Sequence, residues 1–305
     1  MKTSHRAFCF ESDDFTHMCR FVTEDNHTRG ERAIWHLGRM VDWKYGLYNP
    51  AKFMPDNFSK EAELWFDAFG EICGVVLSED FGSELTLLVR RSWEHLAPEM
   101  ISFAKTHWGN RYEALTFSLP EGETAIEAAL ANAGFSRQDT LEVTNIFDTA
   151  QFSNTVLALP AGFRFESMAE NGDYAAHDTL RRNAFQSTCE PELDRLLRDY
   201  TRRSPMYAPQ TDFVLIDADG RHVSGCEAFI DRWNGLAEIE RVCTLREEWG
   251  KGCARLVLTG CLKRLHALGI SRAVLAGGYD KTRHLYGSLG HVDAYNRLSY
   301  EWKNR

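Results

Sequence analysis

Apolar and polar positions along this chain fall into two successive cycles, and each cycle reads as the same series of elements. The first begins with Leu64–Phe69, turns at Gly70 and continues through Ile72–Leu77 and Glu84–Val89. The second begins with Phe213–Ile216, turns at 217–221 and continues through His222–Ile230 and Ala237–Thr244. Short apolar or alternating runs bounded by turn residues predict strands. A helix follows each set, Glu94–Thr106 and Gly252–Leu268, and then another strand, Ala114–Ser118 and Arg272–Ala276. A second helix stops at Ala133-Gly134-Phe135 in one cycle and at Leu289-Gly290-His291 in the other. Each cycle closes on an apolar strand, Leu141–Phe147 and Asn296–Trp302. Gly74 and Gly225 hold similar places in the two cycles.

A pattern repeated at this length implies two copies of one unit. Each copy is expected to be α+β, a mixed central sheet flanked by helices. The polar segment Thr149–Gly162, with Pro160 and Gly162, precedes a new strand at Phe163-Arg-Phe165. It is the expected boundary and divides the chain into 1–150 and 151–305.

The helix Gly252–Leu268 carries Ala254, Val257, Leu258, Cys261, Leu265 and Leu268 at helical spacing, and Gly269 stops it. The segment before it holds the candidate chemistry. The run Leu236–Thr244 feeds a loop with Gly250 and Gly252, and the loop opens the helix at once. That arrangement exposes backbone N–H groups at the positive end of a helix dipole, where a phosphate or pyrophosphate is favoured. Glycine also lets the backbone come close to an oxygen-rich ligand. A tight strand-to-helix turn uses the same residues, so the loop alone leaves both readings open. It is not a P-loop, since G-x-x-x-x-G-K-[ST] is absent, and it lacks the third glycine of a dinucleotide fingerprint.

Charge favours the ligand reading. The 305 residues carry a net charge of −9, yet from Arg246 to Arg283 there are eight basic residues and three acidic ones. A local basic field suits a polyanion, while the acidic total excludes broad nucleic-acid binding. No apolar run reaches the roughly 18–20 residues of a membrane span. The first apolar run, Ala7–Phe10, is too short for a signal peptide. The eight cysteines (Cys9, Cys19, Cys73, Cys189, Cys226, Cys243, Cys253 and Cys261) include no C-x-x-C pair. They read as small buried hydrophobes in a reducing cytoplasm, and no metal site is expected.

Two further side chains stand out. Tyr286 lies on the helix that ends at Gly290. A phenol with an ordinary pKa near 10 can protonate a departing thiolate, and equally can anchor a helix. In the alternation of Ala237–Thr244, Glu240 shares a face of its strand with Glu238 and Val242, opposite Ile239 and Arg241. It could draw a proton from an attacking amine. Glu227 on the preceding strand competes for that role, and a plain rim carboxylate is the alternative for both.

Together these residues resemble the GNAT superfamily of acyl-CoA-dependent N-acyltransferases. Its [Q/R]-x-x-G-x-[G/A] loop is matched by Trp249-Gly-Lys-Gly-Cys-Ala254, and its A-x-x-L-Y-x-x-L-G-F element by Leu285-Tyr-Gly-Ser-Leu-Gly290. The match is good from Phe163 onward and weak over Arg6–Phe147, so the whole resembles two tandem GNAT-like domains. The resemblance implies acetyl-CoA as co-substrate, a small-molecule amine as acceptor, and no nucleic acid or membrane partner. It names neither the acceptor nor an oligomeric state. It implies cofactor contacts at Val242, Cys243, Thr244, Trp249, Gly250, Lys251, Gly252, Cys253, Ala254 and Arg255, with the pyrophosphate on N–H groups of the loop. It implies catalytic roles for Tyr286, as acid to the thiolate, and Glu240, as base, with a backbone N–H near Val242 at the oxyanion. The strands His222–Ile230 and Ala237–Thr244 are expected to splay and expose an edge to the pantetheine amides.

Some positions depart from the pattern. Trp249 replaces Arg or Gln, Tyr279 and Thr282 stand where Asn and Ala are common, and His291 replaces Phe. Leu88-Val-Arg-Arg-Ser-Trp93 has no glycine pair, so the first domain is expected to have lost acyl-CoA binding. A non-catalytic acyl-CoA-binding or scaffold protein is the alternative. Aminoacyl transfer from a charged tRNA is disfavoured by the acidic charge. Trp35, His36, Arg181, Arg182, Phe185, Tyr200 and Tyr207 are candidates to line an acceptor pocket.

Overall fold

The computed structural model describes residues 2–46 and 49–304. The chain forms two compact units. The first takes residues up to Lys44, Asn49–Thr144 and the chain from Tyr295 onward; the second takes Asn145–Ala294 and the short segment that starts at Tyr45.

The first unit contains β1 (Ser4–Ala7), α1 (Asp14–Arg29), α2 (Leu37–Tyr45), α3 (Pro55–Glu61), β2 (Ala62–Phe66), β3 (Ile72–Ser78), β4 (Glu84–Val89), α4 (Ala97–His107), β5 (Ala114–Pro120), α5 (Thr124–Asn132) and most of β6 (Ser136–Asp148). The second contains β7 (Arg164–Ser167), α6 (Met168–Asn171), α7 (Tyr174–Ala184), α8 (Pro191–Thr201), β8 (Asp212–Ile216), β9 (His222–Asp231), β10 (Leu236–Thr244), α9 (Cys253–Ala267), β11 (Arg272–Gly277) and α10 (Asp280–Gly287). The chain ends on β12 (Asp293–Lys303).

The predicted strands and helices are present, with boundaries moved by local hydrogen bonds. The strand expected over Leu64–Phe69 stops at Phe66, because the Asp67 carboxylate accepts from the N–H groups of Phe69 and Glu71 and closes a turn. The helix expected from Glu94 starts at Ala97, after a 3-10 stretch at Arg91–Leu96.

In the first unit the strands lie in the order β1-β2-β3-β4-β5-β12-β6, with β4 and β5 parallel. The expectation that each cycle closes on its own strand is therefore corrected. The chain's last strand joins the first unit, antiparallel to β5 from Arg297↔Pro120 to Lys303↔Ala114. The last residues of β6 group with the second unit instead. Alternation shows that a strand is half-buried but not which edge it joins. Long-range pairing decides that. Arg297 of β12 pairs with Glu142 at 2.9 Å and donates to the Ile34 carbonyl, while Arg39 holds the same carboxylate at 2.7 Å. Burial alone would raise the Glu142 pKa, but Arg39 and Arg297 outweigh it and hold the carboxyl below its ordinary value.

In the second unit the order is β7-β8-β9-β10-β11, followed by the end of β6, with β10 and β11 parallel. Helix α9 buries Val257, Leu258, Cys261 and Leu265, as their spacing predicts. Leu268 is exposed instead, because the helix has ended: Ile270 N–H donates back to the Leu265 carbonyl around Gly269, at φ 80°. Gly74 and Gly225 make room for different helices. A Cβ on Gly74 would meet Met100 of α4, whereas one on Gly225 would meet His177 of α7 and the Phe213 carbonyl.

Gly260 leaves no room for a side chain where α9 faces β7. A Cβ there would stand 2.6 Å from the Phe165 ring, which is stacked on Phe213 and cannot swing aside. Gly260→Ala gains about 1 kcal/mol of helix propensity and loses roughly 1–3 kcal/mol to overpacking. We expect a net loss of about 1 kcal/mol, read as a lower urea midpoint with an unchanged m-value. A more stable variant would contradict this packing.

Candidate active site

The site grows from an irregularity in β10. Glu240 pairs with Glu227 across the β9 ladder, but the next pair is Cys243 with Gly225. One extra residue therefore sits on β10. The slip is made by Arg241, whose φ is +54°. For a residue with a Cβ this left-handed conformation costs roughly 1–2 kcal/mol. The extra residue resets the two-residue period, so Arg241 does not point away from Glu240 as unbroken alternation requires. Its guanidinium reaches Glu227, the partner of Glu240, at 2.7 Å.

The edge that opens is not the expected one. Strands β9 and β10 stay paired down to Thr244↔Ser224. Instead β10 parts from β11, with which its pairing runs only from Leu236↔Arg272 to Glu238↔Val274. Beyond the bulge Cys243 faces β9: its carbonyl accepts from Ser224 Oγ at 2.8 Å, and Leu245 N–H donates to the Val223 carbonyl. Alternation of edges then leaves Val242 and Thr244 facing the gap. Cys243 thus has no backbone group free for a ligand there.

The gap leads to the loop. Gly250 and Gly252 have φ of 79° and 85°, and a Cβ on either would meet nothing within 4 Å. Their conformation requires glycine, and the space above them is open. Gly252 caps α9 without a side-chain hydrogen bond, and the first intrahelical bond runs from Leu256 N–H to the Gly252 carbonyl at 3.0 Å. The N–H groups of Cys253, Ala254 and Arg255 have no acceptor within the helix and point from its positive end. Trp249 is half exposed and braces the loop, its Nε1 donating to the Thr244 carbonyl at 3.0 Å. Lys281 of α10 lies over its ring, 5.1 Å from the centroid. Lys251 pairs with Glu248 at 3.1 Å, and Arg255 binds Ser288 through both its carbonyl and hydroxyl oxygens.

That last contact ties α9 to the end of α10, two residues past Tyr286. Tyr286 is buried, and burial followed by the Glu240 charge raises its pKa, which keeps the phenol protonated at neutral pH. The two predicted catalytic residues are therefore brought within electrostatic reach of each other. Gly277, at the end of β11, allows this: a Cβ there would sit 3.1 Å from Tyr286 Cδ2 and 3.0 Å from Thr282 Oγ1. Thr282, one of the departures, closes the first turn of α10 on the Tyr279 carbonyl.

Glu227 is set apart from Glu240. It is fully buried, and its Oε2 is held by Arg241 and, at 3.2 Å, by Arg181. Both guanidiniums close on the same oxygen, Oε2. Arg181 also binds Asp212 at 2.8 Å, as does His177 at 2.9 Å and the Tyr207 hydroxyl at 3.2 Å. Burial works against the Asp212 charge, but Arg181 and His177 overcome it and hold the carboxyl well below its usual range. Sequence reasoning missed this network. Its signal was an arginine inside an apolar strand, facing acidic residues on neighbouring strands.

Several pocket candidates have core roles. Arg181 and Tyr207 belong to the Asp212 network, Arg182 donates to the Cys189 carbonyl, and Tyr200 packs on Tyr45. Phe185 packs on the core of the second unit, while Trp35 and His36 are buried in the first. Burial lowers the His36 pKa to about 4, so its ring is neutral.

The first unit has the same parting of strands, with β4 and β5 paired only at Glu84↔Thr116 and Leu85↔Phe117. Its own side chains occupy the strand end. Arg29, fully buried, donates to the Val89 carbonyl at 2.9 Å and pairs with Asp25, Glu94 and Glu123. Among the described residues no cluster of His, Cys, Asp and Glu could hold a metal ion, and no helix is long and apolar enough to cross a membrane.

Residues 175–291 match the family model described as Acetyltransferase (GNAT) family. No curated protein matches the chain. Among solved structures, a tandem GNAT protein from the clavulanic acid biosynthesis pathway superposes with a TM-score of 0.65 at 15% identity, over 99% of this chain and 98% of that one. A GCN5-related N-acetyltransferase from Sphaerobacter thermophilus gives 0.62 at 16%, over 99% and 95%. An acetyltransferase of the GNAT family from Colwellia psychrerythraea gives 0.60 at 13%, over 99% and 100%. Such identities speak for the fold alone. The parted strands, the glycine loop and the matched segment lie in one unit, and the chain shares the fold of the tandem GNAT protein while residues 175–291 match the GNAT acetyltransferase family model.

Proposed function

We propose that the second unit transfers an acetyl group from acetyl-CoA directly to an amine of a small molecule, and that the first unit binds no acyl-CoA. The observation that carries this reading is the continuity of the open β10 edge with the uncapped start of α9. An edge that offers amide partners leads straight into a phosphate cradle. Acetyl-CoA supplies an activated thioester carbonyl. The N–H groups of Gly252, Cys253, Ala254 and Arg255 hold its pyrophosphate, with Trp249, Gly250 and Lys251 shaping the loop. Val242 and Thr244 offer the strand edge to the pantetheine arm, and the Val242 N–H faces the developing oxyanion.

Tyr286 holds the proton that the leaving thiolate needs. The same burial that keeps the phenol neutral makes it a weaker acid, so the transfer relies on a thiolate that is itself poorly solvated. Glu240 accepts the proton of the attacking amine, directly or through water. Arg29 supports the inactive reading of the first unit, since it takes up the carbonyl at the end of β4.

Acetyl-CoA at millimolar concentration is expected to raise the Tm of the protein, with thiol release on addition of a suitable amine from a screened panel. Gly252→Glu places a carboxylate in the cradle and should abolish the Tm shift; a shift that persists counts against the site. Tyr286→Phe should keep the Tm shift and lose roughly 10²-fold in kcat, the scale of general acid catalysis. An enzyme indifferent to that change has another proton donor, and binding without turnover on any amine would favour a non-catalytic acyl-CoA binder.

Direct transfer needs no cysteine nucleophile. Burial pushes the Cys243 thiol up to about 11, so only about one thousandth is thiolate at pH 8. Native protein treated with iodoacetamide at pH 8 is expected to leave Cys243 unlabelled by mass spectrometry, and Cys243→Ala to keep most of its turnover. Rapid labelling with loss of activity would point to an acyl-enzyme instead.

A further inference from the structure

We propose that the buried Arg241–Glu227 ion pair is the positioning device that holds the β10 bulge in register and so aims the Val242 N–H at the reacting carbonyl. The aim at the carbonyl rests on the acyl-transfer reading above; the hold on the register does not.

Arg241 is an unexpected residue for its place. At φ +54° glycine or asparagine meets less resistance, so the backbone gains nothing from arginine there. A strained conformation persists only where its surroundings over-determine it. Here the side chain supplies the restraint. Arg241 Nη1 donates to Glu227 Oε2 at 2.7 Å, with the two side chains 3% and 1% exposed, and the guanidinium lies 5.2 Å from the centroid of the Phe229 ring.

The pair spans the slip. Glu227 faces Glu240, the last residue before the extra one, and the ladder resumes at Cys243↔Gly225. Glu227 is itself braced from α7 by Arg181, which Asp212 anchors on β8, with His177 on the same Asp212 oxygen. A buried ion pair is weak support for stability but well suited to fixing register. Without it, residue 241 can relax to an extended conformation. That turns the following peptide, and the Val242 N–H with it.

The test uses the full chain. Arg241→Met combined with Glu227→Gln preserves volume and leaves neither of the two charges without its partner, so folding is expected even if Arg241→Ala alone fails to fold. The double variant should lose about 10²-fold in kcat, the scale of one oxyanion donor. Its KM for acetyl-CoA and its Tm shift with acetyl-CoA should stay near wild type, because the phosphate cradle is untouched. Arg241→Lys, which keeps the charge, should recover part of the kcat. A crystal structure of the double variant should show residue 241 at negative φ and the Val242 N–H turned from the gap. Wild-type kcat in the double variant would overturn the proposal, as would a lowered kcat with residue 241 still left-handed. If the wild type acetylates no amine, the acyl-transfer reading fails by itself, and the crystal structure of the double variant decides the register alone.

Discussion

The second unit depends on the point where β10 leaves β11. Parallel pairing stops at Glu238↔Val274, and from there β10 runs on toward the loop without β11. An unpaired strand edge is normally covered or paired. Here it stays open because the opposite edge of β10 remains locked to β9 as far as Thr244. The strand is held from one side only, which is the condition for a ligand to complete it from the other.

Two features shape the candidate site at that edge. The bulge at Arg241 sets which residues of β10 face the gap, and the uncapped start of α9 places free N–H groups where the gap ends. Tyr286 joins them through contacts that belong to neither feature. Arg255 grips Ser288 from α9, and the missing Cβ of Gly277 lets the phenol ring approach the end of β11. Trp249 replaces the arginine or glutamine of the family pattern, yet it keeps a polar tie, since its indole N–H closes the loop on the Thr244 carbonyl.

The first unit has the same frame with a different filling. Its strands part in the same way, but a buried arginine fills the place of the missing partner and satisfies the Val89 carbonyl from within.

Much of this was legible in the chain. Helical spacing marked the buried stripe of α9, paired glycines marked the left-handed loop before it, and the recurrence of one series of elements marked two units of one kind. These are local properties, set by the conformational range of glycine and by the period of apolar residues. Three decisions needed the tertiary structure. Alternation could not say that β12 joins β5, because a half-buried strand fits any apolar edge until Arg297 finds Glu142. It could not say that β10 parts from β11 rather than from β9, because pairing is a property of neighbours. It placed Arg241 on the wrong face, because one inserted residue inverts the period and only the pairing of β10 with β9 shows where the insertion falls.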